Sequence, residues 1–151
     1  MKIRQRLMTG ALALMTSLAA LAADDHDPAK KEAGPNGGRL VTAVEPHLEL
    51  LVTEDRKVKI TFLDEKKQAV DPGETTVKLT CGERANPVRM TFEKDGKSLV
   101  SKEVLPEGKN FPAVLQVKSN GKPVFERFQL NLADCPGCEY LEYACTCDHE
   151  H

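Results

Sequence analysis

Period-two alternation of apolar and polar residues, broken at short intervals by turn chemistry, runs through the middle of this 151-residue chain. It constrains the fold more than any other feature. Leu48, Leu50 and Val52 alternate with His47, Glu49 and Thr53, and Val58, Ile60 and Phe62 with Lys57, Lys59 and Thr61. The same phase returns at Val77, Leu79 and Cys81 and at Val88, Met90 and Phe92. Successive side chains of a strand leave opposite faces, so each run presents one face to a core and the other to water.

Turn signals separate these runs: Thr53 to Arg56, Asp71-Pro72-Gly73, Glu93 to Lys97, and Ser119 to Lys122. Asn120-Gly121 is the strongest, because a two-residue hairpin turn needs positive φ at both central positions. It predicts a hairpin of Ala113–Lys118 with Pro123–Leu132, and Leu99–Leu105 is expected opposite Val88–Phe92. No segment carries a helical period and no repeat of fixed length is present. About seven or eight short strands within residues 36–133 predict an all-β fold, a small antiparallel β-sandwich of immunoglobulin type, with an open barrel as the second architecture. With no Trp, the core rests on Val, Leu, Ile and five Phe. Cys81 shares the inward phase of Val77 and Leu79, which reads as a buried, inert thiol.

Residues 1–22 read as a signal peptide. Lys2, Arg4 and Arg6 form a positive start, Leu7 to Leu21 is apolar or small, and Ala20-Leu21-Ala22 supplies small residues at a cleavage site. The apolar run is shorter than the ~20 residues that span a bilayer, so no membrane insertion is expected after its removal. A periplasmic or secreted location follows. Removal leaves 18 basic against 23 acidic residues, a net charge of −5, which disfavours nucleic acid and anionic lipid as partners. Residues 23–35 read as a flexible leader. A cut after Ala23 would put His26 third from a free amine, a nitrogen set suited to Cu(II) or Ni(II). The cut after Ala22 that the motif favours places it fourth and spoils that geometry.

The composition changes abruptly at the tail, residues 134–151. Cys135-Pro136-Gly137-Cys138 and Cys145-Thr146-Cys147 hold four of the five cysteines, and His149 and His151 follow. Two thiolates across C-x-x-C can grip one soft cation, and a second pair completes a tetrahedron suited to Zn(II); thiolates also select Cu(I). The candidate ligands are therefore Cys135, Cys138, Cys145 and Cys147, with His149 and His151 as auxiliaries. Two other readings compete. Exported thiols are commonly paired, and four cysteines allow three disulfide connectivities that would staple the tail to the body. The third is a thiol–disulfide oxidoreductase, but such a C-x-x-C needs a strand-to-helix setting that lowers the first thiol's pKa, and this one follows a β body.

No nucleophile elbow, phosphate-cradling loop or H-E-x-x-H motif is present, so a non-enzymatic protein is expected. Asp64–Glu65 and Glu45–Glu49 read as solvated carboxylates. His47 and Glu49, two residues apart on one strand, are expected on the same outward face, where imidazole and carboxylate can share a cation.

The segment Pro35-Asn36-Gly37-Gly38-Arg39-Leu40-Val41, with Glu45 to Leu50 and Val58 to Asp64, resembles small exported bacterial β-domains that accompany heavy-metal efflux adaptor proteins. The matching positions are Gly37, Gly38, His47 and Glu49. The resemblance implies a periplasmic, metal-related setting and a component of a metal-efflux system as partner. The chain lacks the long helical hairpin and lipoyl-like module of an adaptor, so the expected role is a stand-alone metal-handling accessory.

Overall fold

In the computed structural model, which describes residues 32–147, nine strands succeed one another with no helix among the described residues. They are β1 (Arg39–Val41), β2 (His47–Val52), β3 (Val58–Leu63), β4 (Ala69–Val70), β5 (Thr76–Cys81), β6 (Val88–Asp95), β7 (Ser98–Ser101), β8 (Asn110–Ser119) and β9 (Lys122–Asn131). All pairings are antiparallel, and the strands follow the order β1-β2-β3-β7-β6-β5-β8-β9, with β4 beside β3. Residues 1–31 and 148–151 lie outside the described residues, and with them the segment expected to be a signal peptide and most of the expected leader.

Two curved halves face each other across the core, and β6 belongs to both. Its first half, Val88–Thr91, pairs with β5, and its second half, Phe92–Asp95, pairs with β7. The sheet is thus one continuous path, nearly closed into a barrel. Its two ends, β1 and β9, meet through side chains. Arg39 reaches Glu126 at 3.1 Å and lays its guanidinium 4.8 Å above the ring centre of Phe128.

The alternation holds at Leu48, Leu50, Ile60, Leu79 and Leu115, which are fully buried, and Cys81 shares their core. It fails at Thr61, expected to face water, which is buried with its hydroxyl 3.0 Å from that of Ser98 on β7. Burial raises the Cys81 thiol from its ordinary pKa to about 11, which leaves it a neutral packing residue at physiological pH. The Asn120-Gly121 hairpin forms with Ser119 opposite Lys122 and positive φ at both turn residues, 50° and 81°.

Other expectations also need correction. The run Glu93–Lys97 is not a turn throughout: β6 continues to Asp95, and Gly96-Lys97 alone makes the reversal. The strand placed at Leu99–Leu105 is Ser98–Ser101, and it meets Phe92–Asp95, because β5 already occupies Val88–Thr91. Phe125, counted with the core aromatics, faces outward and is 51% exposed.

Glu49 supplies the largest departure. It is only 1% exposed, so it is neither an outward nor a solvated carboxylate. Its Oε1 accepts hydrogen bonds from the backbone N–H of Asn36 at 2.8 Å and of Gly38 at 2.9 Å, and its Oε2 accepts from the Asn36 side-chain amide at 2.6 Å. The turn Pro35–Gly38 therefore wraps the carboxylate and covers the non-core face of β2. A Cβ at Gly34 would collide with this carboxylate, and one at Gly38 would collide with the Leu50 carbonyl. Buried anions are tolerated when their lone pairs are filled in this way.

Candidate metal centre

The chain leaves β9 at Asn131, whose side-chain oxygen accepts the Ala133 N–H at 3.1 Å. It then folds back on itself. Cys135 N–H donates to the Tyr140 carbonyl at 3.1 Å, Glu142 N–H donates to the Ala133 carbonyl at 2.9 Å, and Asp134 pairs with Leu141 as an isolated bridge. This narrow loop, with Pro136-Gly137 near its tip, returns the second cysteine pair alongside the first.

The four sulfurs of Cys135, Cys138, Cys145 and Cys147 all lie within 4.8 Å of one another. Cys135 Sγ is 3.1 Å from Cys145 Sγ, and Cys138 Sγ is 3.6 Å from Cys145 Sγ. A cation bound tetrahedrally at about 2.3 Å from four sulfurs sets them about 3.8 Å apart, so only small shifts separate this arrangement from a closed four-thiolate site. Two backbone donors already point at the sulfurs. Gly137 N–H reaches Cys135 Sγ at 3.4 Å, and Cys147 N–H reaches Cys145 Sγ at 3.2 Å. Hydrogen bonds of this kind orient ligands and offset the negative charge of thiolates around a metal.

Cys135 and Cys145, one from each pair, are buried, whereas Cys138 and Cys147 are half-buried. Burial first, and then the hydrogen bond with Cys135, push the Cys145 thiol up to about 12. With no cation present the Cys145 thiol resists ionisation. A bound cation reverses that balance, because it supplies the positive charge that the crowded sulfurs lack.

The disulfide-stapled arrangement is not what the structure contains. Among the described cysteines no two sulfurs are at disulfide distance: the closest pair, Cys135 and Cys145 at 3.1 Å, lies well beyond the ~2.05 Å of an S–S bond. The strand-to-helix setting of a thiol–disulfide enzyme is missing as well, since no described helix follows Cys138. His149 and His151, named as auxiliary ligands, lie outside the described residues, as does His26.

His47 and Glu49 do not form a second site. His47 Nδ1 lies 3.0 Å from the Val44 carbonyl and 3.6 Å from a Glu45 carboxylate oxygen. Both Glu49 oxygens are engaged by the Pro35–Gly38 turn.

Two tail residues matter that the cysteine pattern does not single out. Tyr143 is 3% exposed, belongs to the barrel core with Ala144, and accepts a hydrogen bond on its hydroxyl from the Val52 N–H of β2 at 3.0 Å. Tyr140 lies over Gly37, where a Cβ would sit 3.6 Å from the ring. Gly37 has φ 84°, so the turn that holds Glu49 also seats the tail. Two aromatic residues three apart in an otherwise polar, cysteine-rich stretch were the available signal.

No family model matches the chain, and no curated protein or solved structure matches it significantly.

Proposed function

We propose that this protein is an exported, non-enzymatic metal-handling accessory whose tail holds one soft cation, Zn(II) or Cu(I), between Cys135, Cys138, Cys145 and Cys147. The observation that carries the reading is the mutual approach of the four sulfurs within 4.8 Å on a loop anchored in the core. Fourfold convergence favours Zn(II), whose structural sites are closed tetrahedra of N and S ligands. Cu(I) remains the competing ion on thiolate softness. The signal-like segment supports export, and the likeness to domains that accompany metal-efflux adaptors supports a periplasmic setting beside such a system.

The test is native mass spectrometry of protein isolated anaerobically from the exporting compartment, followed by competition titration with Zn(II) and Cu(I) chelators. One retained ion per chain, lost in a Cys135→Ser/Cys138→Ser double variant, is the expected result. An intact mass lowered by two hydrogens per bridge, with no ion retained, overturns it in favour of a stapled scaffold.

A further inference from the structure

The chain carries a formal charge of −2, yet one face of its sheet gathers four cations, with carboxylates only at its margins. On the outer side of the half formed by β5, β8, β9 and the start of β6, cross-strand neighbours run in rows. Arg89 stands opposite Thr80, Thr80 opposite Val114, and Val114 opposite Arg127. In the next row Thr91, Lys78, Gln116 and Phe125 follow one another in the same way. Lys118 lies one row further, between Thr76 and Pro123. Lys78, Arg89, Lys118, Phe125 and Arg127 are all exposed.

None of these four cations forms an ion pair with a described residue, although Arg39, Lys67, Lys94 and Lys102 elsewhere each do. Carboxylates reach only the margins: Glu103 accepts both the Thr91 N–H at 2.7 Å and the Thr91 hydroxyl at 3.0 Å on one side, and Glu74 lines a hollow with Lys118 on the other. Phe125, 51% exposed, sits among the cations beside Gln116.

We infer that this face docks a short acidic segment of a partner protein that also carries an apolar side chain for Phe125. Arg89 and Arg127 stand three strand spacings apart, about 14 Å, and rows along the strands repeat every ~7 Å. That footprint matches four or five extended residues at ~3.3 Å each. An aromatic residue within a polar rim is the usual anatomy of a protein-binding patch. Charge range separates this occupant from a membrane or long polyanion. Screening confines the attraction to about 8 Å, so a short segment meets only the local cations, whereas an extended anionic surface also meets the acidic remainder of the molecule. The inference does not depend on the cysteine cluster.

The test uses the chain expressed without residues 1–22, and a fluorescein-labelled ten-residue peptide of Asp and Glu with one central Leu as probe. Fluorescence anisotropy is expected to show saturable binding at low salt that weakens as salt rises. A Lys78→Glu/Arg127→Glu variant should bind at least tenfold more weakly and Phe125→Ser several-fold more weakly, with β-sheet circular dichroism and metal content unchanged. Amide NMR shifts induced by the peptide should map to β5, β8 and β9. Equal binding by the charge-reversed variant, or shifts scattered over the surface, overturns the proposal. So does binding confined to phosphatidylglycerol vesicles or heparin, or self-association that the charge reversal abolishes.

Discussion

The Tyr143 hydroxyl accepts the backbone N–H of Val52 at 3.0 Å, across 91 residues of sequence. That bond ties the loop carrying the four cysteines to β2, two positions before Cys145. The cluster is therefore seated on the barrel.

Tyr143→Phe keeps the ring in the core but leaves the Val52 N–H without its acceptor. An unsatisfied, partly buried donor costs about 1–3 kcal/mol. Urea denaturation should show a lower midpoint with an unchanged slope, and metal affinity should fall with it as the loop loosens. Unchanged stability would mean that water replaces the hydroxyl without loss.

Glu49→Ala removes the acceptor for two backbone N–H groups and the Asn36 amide, at an expected cost of roughly 2–4 kcal/mol for a buried charge-assisted set. Gly38→Ala should be comparably damaging, because its Cβ meets the Leu50 carbonyl. Both should lower the melting temperature while leaving metal stoichiometry at one in whatever fraction stays folded. Thermal scans of the two variants beside Asn36→Ala test whether all three act through one turn.

Metal removal should destabilise the whole domain. A ligand that binds only the folded chain contributes about 4 kcal/mol when present at a thousand times its dissociation constant. Chelation should therefore lower the melting temperature of the wild type and leave the Cys135→Ser/Cys138→Ser variant unmoved. Because binding requires thiolates, affinity should fall as pH drops, and proton release should accompany titration. Cys145, raised to about 12 before any cation arrives, gives up a proton that it would otherwise hold at neutral pH.

Cys81 should behave in the opposite way. Its thiol is raised to about 11 by burial, so the neutral form is the one the fold favours. Its contribution to stability is complete below the ordinary thiol pKa near 9 and declines as pH rises toward 11. At pH 8 iodoacetamide should leave Cys81 unmodified in the folded metal-bound protein and label it only on unfolding. Rapid labelling of the native state would place it outside the core.

The strands of the body were legible because one side of each meets the core and the other meets water. Leu48, Leu50, Ile60, Leu79 and Met90 obey that rule, and Asn120-Gly121 identifies its hairpin by backbone chemistry alone. Glu49 escaped because its burial depends on a turn thirteen residues earlier folding across the far face of β2, and period-two reasoning assumes that face is wet. The role of β6 escaped for a related reason: a strand that changes partners midway carries no mark of it in its own residues. At the tail, spacing alone identified the four cysteines. It could not show that Tyr140 and Tyr143 seat them, because those contacts are made to Gly37 and Val52 at the other end of the domain.

A strand shared between both curved halves leaves the molecule no plane along which to separate in stages. Loosening β6 exposes the interior from two directions at once, so neither half can serve as a refuge for the other. The barrel should melt in a single cooperative event, and the cysteine loop, rooted in the same interior through Tyr143 and Ala144, should release any cation bound to it in that event and not before.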